Sequence, residues 1–494
     1  MSNPTGIPLF HVVGFSGHRQ IIDPDGLAKA TTAALEILRS LAHGEWLGLA
    51  SVAEGGDQLF IARAQALGMA WHAVLPLPKA EFARDFPREE WERVEKILNG
   101  AEHVRVITEN GSREDAYLDC GMATVDGSDV LLAVWDGEPA RGRGGTGDVV
   151  AYARSLGKPL ILIDANTLKV TRENLDKLER IDSGLAKLNH LPPSPAGTTE
   201  NPFKAPITIF EFQQKCDHAA SRGAPQFRRL IVLTVLLHVA ATMIAAAALA
   251  YDLHFAVVPW LKLICLTGAL SVALLLRHHH HSHDNWVRCR LAAEFCRSLL
   301  ATWGLPRAAP LFEDLDLPEI RGLARALHIL HSRSASSQPV KIGVFRDTYL
   351  EMRIDDQLAY YRRQEGRSLP MFNRLKLGFW IATVLAILST ATYAVCHTAH
   401  LTWVPESAES TVFYFLPITL PIVAAALISL ISINDLQRRV ARYREMQVML
   451  EESRKRVAFC QTWNSLERVV LRTERALLQE VIEWHSLTSF AESH

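Results

Sequence analysis

The chain predicts an α/β head with a Rossmann-like, doubly wound parallel sheet, followed by an all-α membrane region of four transmembrane helices in two hairpins with long cytosolic helices. Three observations predict this. Short apolar runs alternate with helical spacing through residues 10–164. Four almost uninterrupted apolar runs follow, at 230–251, 255–276, 377–396 and 413–433, each close to the roughly 20 helical residues that a bilayer core requires. Basic residues then flank these runs on one side only. Arg222, Arg228 and Arg229 precede the first, Arg277 follows the second, Arg374 and Lys376 precede the third, and Arg438 and Arg439 follow the fourth. The connections at 252–254 and 397–410 hold no Lys or Arg. The positive-inside rule therefore places both termini and the central segment in the cytosol, in a multi-pass inner-membrane protein.

In the head, strands are expected at 10–15, 46–52, 72–76, 104–108, 130–135 and 160–164, and helices at 26–42, 58–67, 88–98, 117–125 and 147–156. Residues 1–10 lack a basic stretch leading into a long apolar one, so no secretory signal peptide is expected. The expected division is a head over 1–188, a linker and lead-in over 189–220, a first two-span module over 221–365, and a second over 366–494 with a C-terminal amphipathic helix. Within the lead-in, 207–216 either returns to the head or starts a helix towards the membrane.

Composition narrows the function. Lys+Arg 52 against Asp+Glu 53 gives no global attraction to nucleic acid, and none is expected as a partner. The seven cysteines form no CxxC and fit reduced thiols. Cys289 and Cys296 share a helical face at their spacing, and inert packing is the expectation. No metal site and no cofactor is expected.

Three loops carry nucleotide-site chemistry. Gly14, Ser16, Gly17, His18 and Arg19 follow the first strand, where glycines admit an anion to backbone amides and His18 and Arg19 supply charge. Glu54, Gly55, Gly56 and Asp57 repeat the arrangement after the second strand and add carboxylates suited to ribose hydroxyls. Asp136 ends a third strand, and Arg141, Arg143, Gly144, Gly145, Thr146, Gly147 and Asp148 follow it. At the 14–19 turn, residues 51–57 and residues 144–148 the head resembles the SLOG superfamily, the Rossmann-like group that includes the LOG phosphoribohydrolases. The resemblance implies a pocket for a nucleotide-derived signal such as an ADP-ribose relative or a cyclic oligonucleotide. The LOG motif Pro-Gly-Gly-x-Gly-Thr-x-x-Glu is not kept: Arg143 stands for its proline, Asp148 for its threonine and Ala151 for its glutamate. The loss of that carboxylate removes the expected general acid or base, so no catalytic residue is assigned and sensing is expected over cleavage.

The membrane region carries a repeat, Arg-x-x-Pro-x-Phe-x-Arg-Leu, at 222–230 and 367–375, expected at the start of each hairpin. After the fourth span, Tyr443, Met446, Leu450, Val457, Cys460, Trp463, Val470, Leu477, Val481 and Trp484 recur at helical spacing, predicting one long amphipathic helix. It packs between hairpins, between subunits or on its own chain. With the hairpins, residues 286–303 and the Glu483-Trp484 end, this region resembles the SLATT family of two-span effectors. The two resemblances together imply a homo-oligomeric membrane effector that senses a nucleotide second messenger made by a partner synthase and perturbs membrane lipids as a pore in antiviral defence. A membrane-tethered nucleotide hydrolase or phosphoribohydrolase, and a nucleotide-gated channel with a physiological role, are the alternatives. Lys262 either lines a pore or snorkels, and snorkelling is favoured. The histidines at 278–283 are expected to form an interfacial polar collar rather than a metal or pH site.

Overall fold

The computed structural model describes residues 6–107, 112–195, 201, 203–278, 280–306, 311, 317–334, 340–399 and 405–490. The head runs β1 (Phe10–Gly17), α1 (Pro24–Leu41), β2 (Glu45–Ala50), α2 (Gly56–Ala66), β3 (Ala70–Leu75), α3 (Lys79–Phe82), α4 (Arg88–Leu98), β4 (His103–Val106), α5 (Arg113–Asp126), β5 (Val130–Trp135), α6 (Thr146–Ser155), β6 (Leu160–Asp164), β7 (Val170–Glu173) and α7 (Ser183–Asn189). The helical region continues with α8 (Ile207–Ala250), α9 (Val257–His278), α10 (His280–Thr302), α11 (Arg321–Ser334), α12 (Ile342–Tyr349), α13 (Asp356–Ala399), α14 (Glu406–Glu409), α15 (Leu416–Ile433), α16 (Leu436–Phe459) and α17 (Trp463–Phe490). The fold class is as expected from the sequence. Two compact units form: residues 1–191 with 306–339, and 192–305 with 340–494.

The head sheet has the order β4-β3-β2-β1-β5-β6-β7. The first six strands are parallel, and β7 closes the edge antiparallel to β6. Because side chains alternate along a strand, Val13, Phe15, Trp46, Ala50, Trp71, Ala73 and Leu75 share one face, where they bury Leu35 and Leu38 of α1, Phe60 and Ile61 of α2, and Val94 and Leu98 of α4. Helix α1 starts at Asp23, whose carboxylate accepts from the Gly26 N–H at 2.9 Å, with Pro24 in the first turn. On the opposite face Leu131, Ala133, Leu160 and Leu162 pack against Val149, Val150 and Ala153 of α6 and Val125 of α5.

That second face is completed from far along the chain. Three of its residues, His72, His103 and Arg105, are polar, and α11 lies against them. His328 sits edge-on to His103 at 5.4 Å and to His72 at 6.5 Å between ring centroids. Arg325 pairs with Asp129, and Arg333 bridges Glu102 at 2.9 Å and Glu45 at 2.8 Å. Burial pushes the imidazoles down, His103 to about 4, His328 to about 3 and His331 to about 4. Helix α11 thus belongs to the head's packing although it lies, in sequence, between the two hairpins.

In the second unit two helices of 44 residues each, α8 and α13, carry membrane-capable stretches. Residues 207–216 begin α8, which runs unbroken into the first span. The four membrane-capable segments are Arg229–Ala250, Val257–Leu276, and stretches within Ile342–Ala399 and Ser410–Phe459. Both copies of the proline motif lie inside α8 and α13 and not at their starts; Pro370 is internal to α13. The single long C-terminal helix is also corrected. Cys460 adopts an extended conformation that ends α16, and Thr462 starts α17, its carbonyl accepting from the Leu466 N–H at 3.0 Å. Polar residues also hold the helices of this unit together: Glu474, fully buried, accepts from Arg353 at 2.6 Å and from the Tyr349 hydroxyl at 2.7 Å. Side chains of the 278–283 histidines lie outside the described residues, as does part of the 397–410 loop.

Candidate functional site

Strand order reverses between β1 and β5, each parallel to its neighbours, and the crevice beyond their carboxyl ends is where a doubly wound sheet takes a ligand. A cleft of about 730 Å³ opens there. Of the residues expected from sequence, Ser16, Gly17, His18, Arg19, Asp57, Asp136, Arg141, Arg143, Gly144, Gly145, Thr146 and Gly147 line it. Gly14, Glu54, Gly55, Gly56 and Asp148 do not.

The five exceptions have physical reasons. The turn expected at Gly14 begins later, because β1 extends through Gly17 and Gly14 pairs with Leu49 and Leu131. A Cβ there would lie 2.8 Å from the Ser128 hydroxyl, so its smallness serves strand-to-helix packing. Gly55 has φ +87° and a Cβ would meet the Arg19 carbonyl at 2.0 Å. Gly56 donates its N–H to the His18 carbonyl at 3.0 Å. These two glycines lock the second loop onto the first and so shape the cleft from behind. Asp148 accepts from the Gly144 N–H at 2.9 Å, fixing the third loop, and Glu54 is exposed outside the cleft.

Inside the cleft, charge is arranged on three sides. Helix α6 begins at Gly145, which supplies no side-chain cap, so its first amides and positive dipole end face the lining of Gly144, Thr146 and Gly147. Arg141 pairs with Asp136 at 3.0 Å and Arg143 with Asp115 at 3.1 Å, both from exposed positions that leave their guanidiniums accessible to a ligand. Across the cleft Arg19 lies over the Tyr117 ring at 5.9 Å. The Tyr117 hydroxyl donates to Asp85, and burial with that carboxylate pushes it up to about 12.

At the switch point the Asp136 N–H donates to His18 Nε2 at 3.1 Å. The Asp136 carboxylate accepts from the Glu138 N–H at 3.1 Å, which with Arg141 holds it below the usual range. Asp57 lies at the floor. Burial pushes its carboxyl up to about 7, opposed by the Ala53 N–H at 3.2 Å and by Arg19. Tyr117, Ser51, Thr124 and Asn166 also line the cleft and were not foreseen. Tyr117 lies within α5 and opens no motif, so no sequence signal points to it.

Together these features describe a multi-pass membrane protein whose α/β head has an anion-suited cleft at the switch point of its sheet. Residues 211–342 match SLATT_3, the SMODS and SLOG-associating 2TM effector domain 3. The match spans the first hairpin, α10 and α11, and supports the SLATT resemblance over that stretch. No curated protein matches the chain.

Proposed function

We propose that the chain is a homo-oligomeric membrane effector of a defence system, in which a nucleotide-derived signal binds the head cleft and the hairpins respond by opening a pore or disrupting the membrane. The observation that carries this reading is α11. It falls within the 211–342 effector match yet packs as part of the head unit, so sensor and effector share a structural element. A ligand drives such a change only by binding one arrangement more tightly than the other. The cleft suits a ligand with at least two anionic groups, one at the α6 amides with Arg141 and Arg143, another at Arg19, with Asp57 and Asp136 available to sugar hydroxyls.

The test is release of a small dye from liposomes holding the full-length protein, against a panel of ADP-ribose derivatives and cyclic nucleotides. Release by one ligand, lost in R19A while membrane insertion is kept, is the expected result. Dye retention with every panel member, or release that R19A leaves intact, refutes the reading.

A second reading, the membrane-tethered hydrolase, is favoured by Asp57 alone, since a carboxyl near neutrality in a cleft is suited to general acid or base work. It predicts consumption of a panel nucleotide by the full-length protein and loss of that turnover in D57N.

A further inference from the structure

We propose that the face of α8 bearing His238 lines a water-filled axis shared by several copies of this chain. The proposal deepens the pore reading by naming the lining, and it rests on the first apolar segment spanning the bilayer.

His238 lies close to the centre of the span Arg229–Ala250. Its side chain is exposed on the protomer, while Ala241 and Ala246 of the same helix are buried at 2% and 4% exposure. The ring Nδ1 lies 2.9 Å from the Thr234 carbonyl of its own helix. A carbonyl only accepts, so Nδ1 carries the proton and Nε2 is left as an acceptor. No donor to Nε2 is found among the described residues. The neighbouring hydroxyls differ: Thr234 donates to the Leu230 carbonyl at 3.0 Å and Thr242 to the His238 carbonyl at 2.8 Å. Those two are satisfied within the helix and tolerate lipid, whereas the imidazole acceptor does not.

A lone polar group facing hydrocarbon is strongly disfavoured. Hydrocarbon offers no donor, and the packed side of α8 faces elsewhere. Thr242, one turn beyond His238 and also exposed, continues the polar stripe along the span. Closed rotational symmetry brings the same residue of each copy to one axis, where water reaches every Nε2. A second copy therefore resolves the unsatisfied group without requiring any new donor from a foreign partner. Since the cost exists with or without a signal, the copies are assembled at rest, and gating alters an existing lumen.

The experiment uses full-length H238C, T242C and L270C reconstituted in phosphatidylethanolamine and phosphatidylglycerol liposomes, with the unsubstituted chain giving the background of its own cysteines. Leu270 is the lipid-facing control, 61% exposed within the second span. Each is treated, without any nucleotide, with a charged methanethiosulfonate and read by mass, and separately with an oxidant and read for disulfide-linked dimers. H238C and T242C are expected to react on the order of tenfold or more faster than L270C, because only a hydrated thiol ionises to the reactive thiolate, and H238C is expected to cross-link between copies. T242C keeps the test open if H238C fails to fold. Reaction at both positions no faster than at L270C, with no cross-linked dimer, overturns the proposal. Dye release in the same liposomes separates the two ideas: ligand-triggered release with unreactive 238 and 242 leaves the effector reading standing and removes this lining, while reactive positions without triggered release do the reverse.

Discussion

At Asp57 a single carboxyl ties the loop architecture to the chemistry of the cleft. It is buried at the start of α2 and pushed up to about 7, whereas an unfolded aspartate titrates near ~3.9. Between those values the folded head holds the extra proton, so this group's contribution to stability is present at low pH and is lost as pH rises through about 7. D57N keeps an oxygen for the Ala53 N–H and removes the charge. Its melting temperature should exceed that of the unsubstituted protein at pH 8, with the difference vanishing near pH 4; an equal gain at both pH values would show that Asp57 titrates normally. Such a role was only half legible in sequence. Glycine spacing marked the three loops, and their order after strands placed them at one end of a sheet. Spacing does not distinguish a glycine that faces a ligand from one that faces another loop, which is why Gly55 and Gly56 read as contacts although they clamp the backbone at His18 and Arg19.

Helix α11, within the 221–365 module expected from sequence, is an element whose packing partner the sequence does not reveal. Its apolar stripe is plain, with Leu323, Ala324, Leu327 and Ile329 buried, but periodicity says that a helix packs and not against what. Its partners are polar residues of β3 and β4, whose placement on a sheet face depends on strand order. The neutral imidazoles at this contact bring a pH dependence. His103, His328 and His331 titrate at about 4, about 3 and about 4, below the ~6.5 of a free histidine. The undocked state therefore binds more protons, and docking is lost as pH falls from about 6.5 towards 4. Glu102 beside His72, and Arg105, Arg325 and Arg333 around the cluster, set the surrounding charge. Hydrogen exchange across 321–334, corrected for intrinsic rates, should show less protection at pH 5 than at pH 7, and H328F should reduce the difference; identical protection in all cases would argue against titration here. The α16 to α17 break was hidden for a related reason, since the apolar stripe continues through a turn of only a few residues. Below it the buried Arg353 and Glu474 pair gives a sharper expectation. R353M leaves Glu474 charged and without its main partner and should cost about 3–5 kcal/mol, measurable by chemical unfolding in detergent, whereas R353M combined with E474L should recover most of the loss.

On the scale of the whole molecule, the spans were the most legible part, because four runs of apolar residues flanked by arginine need no tertiary information. What the sequence withheld was the place of α11, since it depends on a helix from between the hairpins folding onto the head sheet. The proposed coupling through α11 can be tested apart from ligand binding. Arg325 accompanies Asp129 and the Phe10 carbonyl, while Arg333 grips Glu45 and Glu102; Phe10, Glu45 and His103 open β1, β2 and β4. These contacts lie at the amino ends of the strands, the cleft at the carboxyl ends. R325A with R333A removes three ion pairs of α11, to Asp129, Glu45 and Glu102, without touching a cleft residue. Ligand affinity of the full-length protein should change little, exchange protection of 321–334 should fall, and ligand-triggered dye release should be lost. Allosteric coupling requires an element whose two arrangements both sites bias, so a split between intact binding and absent release would assign that role to α11. Full release from a variant whose α11 is shown to be undocked would remove the helix from the signal path and leave the connection through 192–206 to be examined in its place.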